Sequence, residues 1–91
     1  MAESIIINLP LEDSCFQSNE QGIADVTAQF SVTCPGETRL IEWGFEHYPK
    51  GECHVENFWS STFVYPIKRG DWTFWVKDPG GPNAEVRFKV I

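Results

Sequence analysis

The sequence predicts an all-β domain in which about seven antiparallel strands pack as a two-sheet sandwich. Three observations point there. Apolar and polar residues alternate at period two through several segments, and no window sustains a helical period. Clusters of Gly, Pro and Asn separate those segments at the spacing of a sandwich. The apolar content is carried by seven Phe, four Trp and two Tyr with a single Met, a balance that favours strands.

The first strand is expected over Ser4 to Leu9, closed by Pro10, and the polar stretch from Glu12 to Gly22 reads as a loop or a single helical turn. The second strand is the clearest. Val26, Ala28, Phe30 and Val32 fall on one face, with Thr27, Gln29, Ser31 and Thr33 on the other. Cys34-Pro35-Gly36-Glu37 reads as a turn into a third strand, Arg39 to His47, whose inward side carries Ile41, Trp43 and Phe45. Trp43 is expected at the centre of the core. Pro49-Lys50-Gly51 breaks the chain again, and Val55 to Ile67 is one long strand or two shorter ones, with Pro66 marking an edge or a strand end. Trp72, Phe74 and Val76 face inward on the next strand, which ends at Asp78-Pro79-Gly80-Gly81. The last strand turns Ala84, Val86, Phe88 and Val90 inward and Glu85, Arg87 and Lys89 outward. Pairing these last two strands as a hairpin places Thr73, Trp75 and Lys77 on one outer surface with Glu85, Arg87 and Lys89.

The run Phe63-Val64-Tyr65, then Gly70-Asp71-Trp72-Thr73-Phe74-Trp75-Val76-Lys77-Asp78-Pro79-Gly80-Gly81, then Val86-Arg87-Phe88-Lys89-Val90 resembles the C-terminal half of PKD (polycystic kidney disease) domains. Upstream, Phe30-Ser31-Val32 and Glu42-Trp43-Gly44-Phe45 are similar to that family's second strand and its Trp-Asp-Phe-Gly-Asp-Gly turn, with Glu46-His47-Tyr48 in place of the acidic Gly-Asp-Gly portion. Fibronectin type III and other immunoglobulin-like modules share much of this pattern. The resemblance implies an immunoglobulin-like fold and a spacer, adhesion or carbohydrate-associated role without catalytic residues.

The 91 residues, a single domain spanning 1–91, carry a formal net charge of −6 and no Lys/Arg cluster, which argues against a nucleic-acid partner or an anionic membrane surface. No stretch reaches the ~18 apolar residues of a membrane span, so membrane insertion is not expected, and Met1-Ala2-Glu3-Ser4 lacks the features of a secretory signal. The expected compartment is extracellular for a domain of an exported protein and cytoplasmic for a chain complete as written.

Catalysis is not expected. Cys53-His54 is the one close Cys/His pair, and neighbours on an extended chain point to opposite faces. A zinc site drawn from His47, Cys53 and His54 fails for the same reason. Glu12, Asp13, Asp25 and Asp78 are calcium-type donors, but they are dispersed, and Asp78 reads as a turn initiator. No metal or cofactor is implied.

The candidate ligand-binding residues are aromatic. Trp75 should lie on an outer face near the stems of Arg87 and Lys77, where it either stacks on a ligand together with Arg87 or packs beneath those stems. Phe58 and Trp59, beside Asn57 and Ser60-Ser61, read as a solvent-accessible edge or as a strand-end plug. Among the cysteines, strand direction brings Cys15 and Cys53 to the same end of the sandwich and leaves Cys34 at the other, so Cys15–Cys53 is the expected pair if a disulfide forms. The function expected is a non-enzymatic recognition or structural module on an extracellular or virion surface, contacting protein or carbohydrate. The rival is a small acidic inhibitor or immunity-type protein steered to a basic target.

Overall fold

A computed structural model describes residues 1–46 and 48–91. Among these residues every regular element is a strand: β1 (Ser4–Leu9), β2 (Ser14–Phe16), β3 (Ile23–Phe45), β4 (Tyr48–Lys68), β5 (Gly70–Lys77) and β6 (Asn83–Val90). The sheet order is β1-β3-β5-β6-β2, and β4 pairs with β3 alone. Most pairs are antiparallel; β2 lies parallel to β6, which makes the sheet mixed.

The predicted second and third strands are one strand. Cys34-Pro35-Gly36-Glu37, expected as a turn, is instead a bulge within β3, because the register passes directly from Cys34 opposite Asn57 to Thr38 opposite Glu56. Gly36 (φ 72°) and Asn57 (φ 57°) both adopt left-handed backbone there, and the Gly36 N–H donates to the Asn57 side-chain oxygen at 3.2 Å. Only small or Asn-like residues take that conformation cheaply. The bulge inserts an odd number of residues, so the inward set switches from Val26, Ala28, Phe30 and Val32 to Ile41, Trp43 and Phe45, which is why both alternations in the sequence point to one core.

The bulge also bends the β3–β4 ribbon. A straight 23-residue strand would run roughly 75 Å, whereas the longest dimension of the whole molecule is 46 Å. Curled this way, the sheet brings the inner faces of its two halves against each other. Trp43 lies 4.3 Å from Phe63, Phe45 is 5.3 Å from Tyr65, and Phe74 is 6.2 Å from Phe63, ring centre to ring centre. Trp43 is half-buried at the rim of this aromatic cluster, in which Phe45 and Phe74 are fully buried; Phe30 is fully buried in the same core. Opposite Trp43 in the β3–β4 register is Gly51, where an added Cβ would come within 2.6 Å of the indole. The glycine in the predicted chain break is therefore there for close packing within a strand.

The Glu12–Gly22 stretch holds β2, where Phe16 meets Phe88 edge-to-face at 5.8 Å. Three residues are too few to show an alternation, so the sequence gives no warning of this strand. The β5–β6 hairpin has the expected register, with Trp72 opposite Phe88 and Thr73 opposite Arg87. Asp78 forms the expected turn through Gly81 N–H, and its carboxylate, on a residue only 2 % exposed, accepts from Arg39 at 2.8–3.2 Å and from the Ala2 N–H at 2.7 Å.

Candidate functional site

β4 forms one edge of the sheet along its whole length, since β1 and β5 share the opposite side of β3. Which of its backbone groups face outward follows from two hydrogen bonds on the far side of β3. The Thr33 carbonyl accepts from Glu3 N–H and the Ile23 carbonyl from Asn19 N–H, each at 2.8 Å. In a strand the N–H and C=O of one residue point the same way. The odd-numbered residues of β3 from 23 to 33 therefore face away from β4. Their register partners Phe58, Ser60, Thr62, Val64 and Pro66 sit at non-hydrogen-bonded positions with their backbone groups on the open edge. Pro66 fits this alternation, because its missing N–H would have pointed to solvent.

The side chains of that row point to the outer face. Phe58 is 67 % and Val64 59 % exposed, and Trp59, which starts the inward row opposite Val32 but sits beside the bend, is 40 % exposed. From Phe58 to Tyr65 the chain carries eight residues without charge, Pro or Gly, bounded by the left-handed Asn57 and by Pro66. This is an adhesive type of strand edge, with donors, acceptors and apolar side chains presented together.

Trp75 lies on the outer face of the other half of the sheet. It sits opposite Gly44 in the β3–β5 register, its indole N–H donates to the Glu46 carbonyl at 2.6 Å, and the Lys77 ammonium stands 5.3 Å from its ring. It is half-buried. One edge of the ring is thus bonded to the Glu46 carbonyl and the Lys77 cation stands over its face. Arg87 is held by Glu12, whose carboxylate accepts from the Arg87 backbone N–H and from its Nε, both at 3.1 Å. That backbone bond first, and the guanidinium second, hold the Glu12 carboxyl below its usual pKa. Arg87 flanks an open groove of about 630 Å³ lined also by Ser14, Cys15, Glu46, Asp71 and Thr73. Among the described residues its lining carries no imidazole, and its Ser14 hydroxyl is the one buried side-chain polar atom without a partner. Phe58 and Trp59 are brought together at the β4 edge; Trp75 and Arg87 lie apart from them.

Cys53 packs against the core while His54 is exposed on the other side of β4, and burial pushes the Cys53 thiol up. His47 lies outside the described residues. No group of three metal-binding side chains occurs among the described residues. Of the calcium-type donors, Glu12 is engaged by Arg87 and Asp78 by Arg39.

All three cysteines are free. Cys15 lies on β2 opposite Lys89 of β6, and Cys53 lies on β4 opposite Ile41 of β3. The strands β3, β5 and β6 lie between them in the sheet, and the registers set them apart along the strands. Cys15 is level, through Lys89, with Asp71 near the start of β5, whereas Ile41 beside Cys53 lies one residue before Glu42, the partner of Lys77 at its end. That is roughly 23 Å at the usual rise, beyond the ~7 Å a bridge allows. Strand direction placed both at the same end because it carried no information about the register of β2, which puts Cys15 at the opposite end of β5 from Cys53. Sequence reasoning also missed the outward alternation of the β4 backbone, for which Pro66 was the available signal. Comparison with protein-family models, characterised proteins and solved structures found no match.

Proposed function

We propose that this chain is a non-enzymatic recognition module that contacts an extended protein segment through the β4 edge, with Phe58 and Trp59 as anchors. We read the two facing halves of its curled sheet as the layers of an immunoglobulin-like sandwich, in keeping with the PKD-like pattern of its last third. The observation that carries the proposal is the coincidence, on one open edge, of unpaired backbone groups with an uncharged strand and two exposed aromatics. Strand addition needs all three, because backbone bonds give affinity and the aromatic side chains give the desolvated centre. Stacking of a sugar ring on Trp59 would use the aromatic but leave the backbone row idle, so a polypeptide fits better than a carbohydrate.

The proposal is tested on immobilised panels of extended peptides and of oligosaccharides, comparing the natural chain with Phe58→Ser and Trp59→Ser. The expected outcome is retention on peptide, weakened about tenfold or more in each variant as for an interface anchor, with thermal midpoints nearly unchanged because both side chains are exposed. Binding indifferent to both substitutions, or a large loss of stability, contradicts it. A second reading, an acidic inhibitor-type protein, draws on Glu42 lying directly opposite Glu52 in the register, a like-charge pair that costs stability. It predicts salt-sensitive binding to basic proteins that Glu52→Gln weakens and Phe58→Ser does not.

A further inference from the structure

The β4 edge is complementary to itself. Its outward-facing residues with both an N–H and a C=O are Phe58, Ser60, Thr62 and Val64, a run whose midpoint is Ser61. It stops at Pro66, which has no N–H, and at Asn57, where the left-handed backbone (φ 57°) turns the strand. An antiparallel strand laid along this edge with two-fold symmetry about Ser61 brings Phe58 opposite Val64 of the second copy and Ser60 opposite Thr62 of the second copy. Each of the four residues then exchanges both backbone hydrogen bonds with its opposite. The match extends to the side chains, since the two most exposed apolar residues of β4, Phe58 and Val64, cover each other at both ends of the ladder. On the inward row Trp59 falls opposite Phe63, and the charged neighbours lie outside the run.

Neighbouring registers do worse. Centred on Ser60, Val64 would face Glu56; centred on Thr62, Phe58 would face Pro66 and lose a donor. A two-fold interface must match a patch to itself, and this eight-residue segment does so in one register.

We infer that the chain associates with a second copy of itself through antiparallel β4–β4 pairing centred on Ser61, forming a continuous sheet across a two-fold axis. This deepens the recognition reading of the same edge and rests on it: the extended partner is β4 of another copy. The paired segment is short, which makes a weak, concentration-dependent dimer of the small-interface class.

Sedimentation equilibrium across micromolar to millimolar concentrations tests it, with folding of each variant checked by circular dichroism. The natural chain is expected to pass from about 10 kDa to twice that mass. Thr62→Pro removes an outward N–H that serves no bond among the described residues, as Pro66 already does, and should raise the dimer Kd about thirtyfold through one lost bond per copy. Phe58→Glu and Val64→Lys should each weaken the dimer, and the double variant should restore it. That rescue can only act between copies, because the two positions lie about 20 Å apart on one strand. A monomer at every concentration, a dimer indifferent to Thr62→Pro, or a double variant no better than the singles overturns the inference. A monomer whose peptide binding still depends on Phe58 would sink self-pairing alone. A symmetric dimer whose peptide binding ignores Phe58 and Trp59 would sink the broader reading of that surface as a site for other proteins.

Discussion

Arg39 and Asp78 stand 39 residues apart in the chain and meet where β5 ends, joining β3 to the turn before β6 and to the backbone of Ala2. The Arg39 hydrogen bonds, and less strongly the Ala2 N–H, outweigh burial and hold the Asp78 carboxyl below its usual pKa. The native state therefore releases this proton more readily than the unfolded chain, whose carboxyl titrates near ~3.9. The stabilisation is complete above that value and is lost as pH falls through the lower native value. Calorimetric scans should show a thermal midpoint that is level from about pH 7 to 5 and drops below about pH 4. Asp78→Asn should lower the midpoint at neutral pH and flatten the acid fall; an unchanged acid profile in that variant would contradict the assignment. Glu12 is also shifted down, but as an exposed pair with Arg87 it contributes little. From the sequence Asp78 was legible only as a turn former, because nothing local to Pro79-Gly80-Gly81 says that a distant arginine will enclose its carboxylate.

Alternation made the strands legible, and it assigned Val26, Phe30, Ile41, Phe74 and Val76 to the core correctly. Continuity was not legible. Pro35-Gly36 has the chemistry of a turn and of a bulge alike, and only the partner strand decides between them. β2 was invisible because three residues show no period and its pairing partner β6 is distant in sequence. That strand positions Cys15 at the outer edge, exposed, while Cys34 is buried and Cys53 half-buried. A thiol reagent added to the native protein should therefore label one cysteine quickly, identified as Cys15 by peptide mapping, and all three on denaturation without reductant. One free thiol in the denatured, unreduced sample would instead reveal the Cys15–Cys53 bridge that strand direction alone suggested.

At the scale of the molecule, the bend in β3 and β4 folds one sheet onto itself, and that single event decides which surfaces are core and which are available. It buries Phe30, Phe45 and Phe74 between the halves, and it leaves Phe58 and Trp59 exposed beside the bend. The exposure of Phe58 and Trp59 was legible from their polar neighbours Asn57, Ser60 and Ser61. The sequence could not show that Trp75 is bonded to Glu46 and flanked by Lys77, since those contacts depend on how the strands lie side by side. Nor could it show that the backbone beside Phe58 is open. That openness underlies both the recognition reading and the self-pairing, and residue-resolved amide hydrogen exchange on dilute, monomeric protein tests it directly. The amides of Phe58, Ser60, Thr62 and Val64 should exchange fast, while those of Trp59, Ser61, Phe63 and Tyr65, bonded to β3, should be protected. Equal protection of all eight at that dilution would mean that β4 is not an edge, and the account would fail.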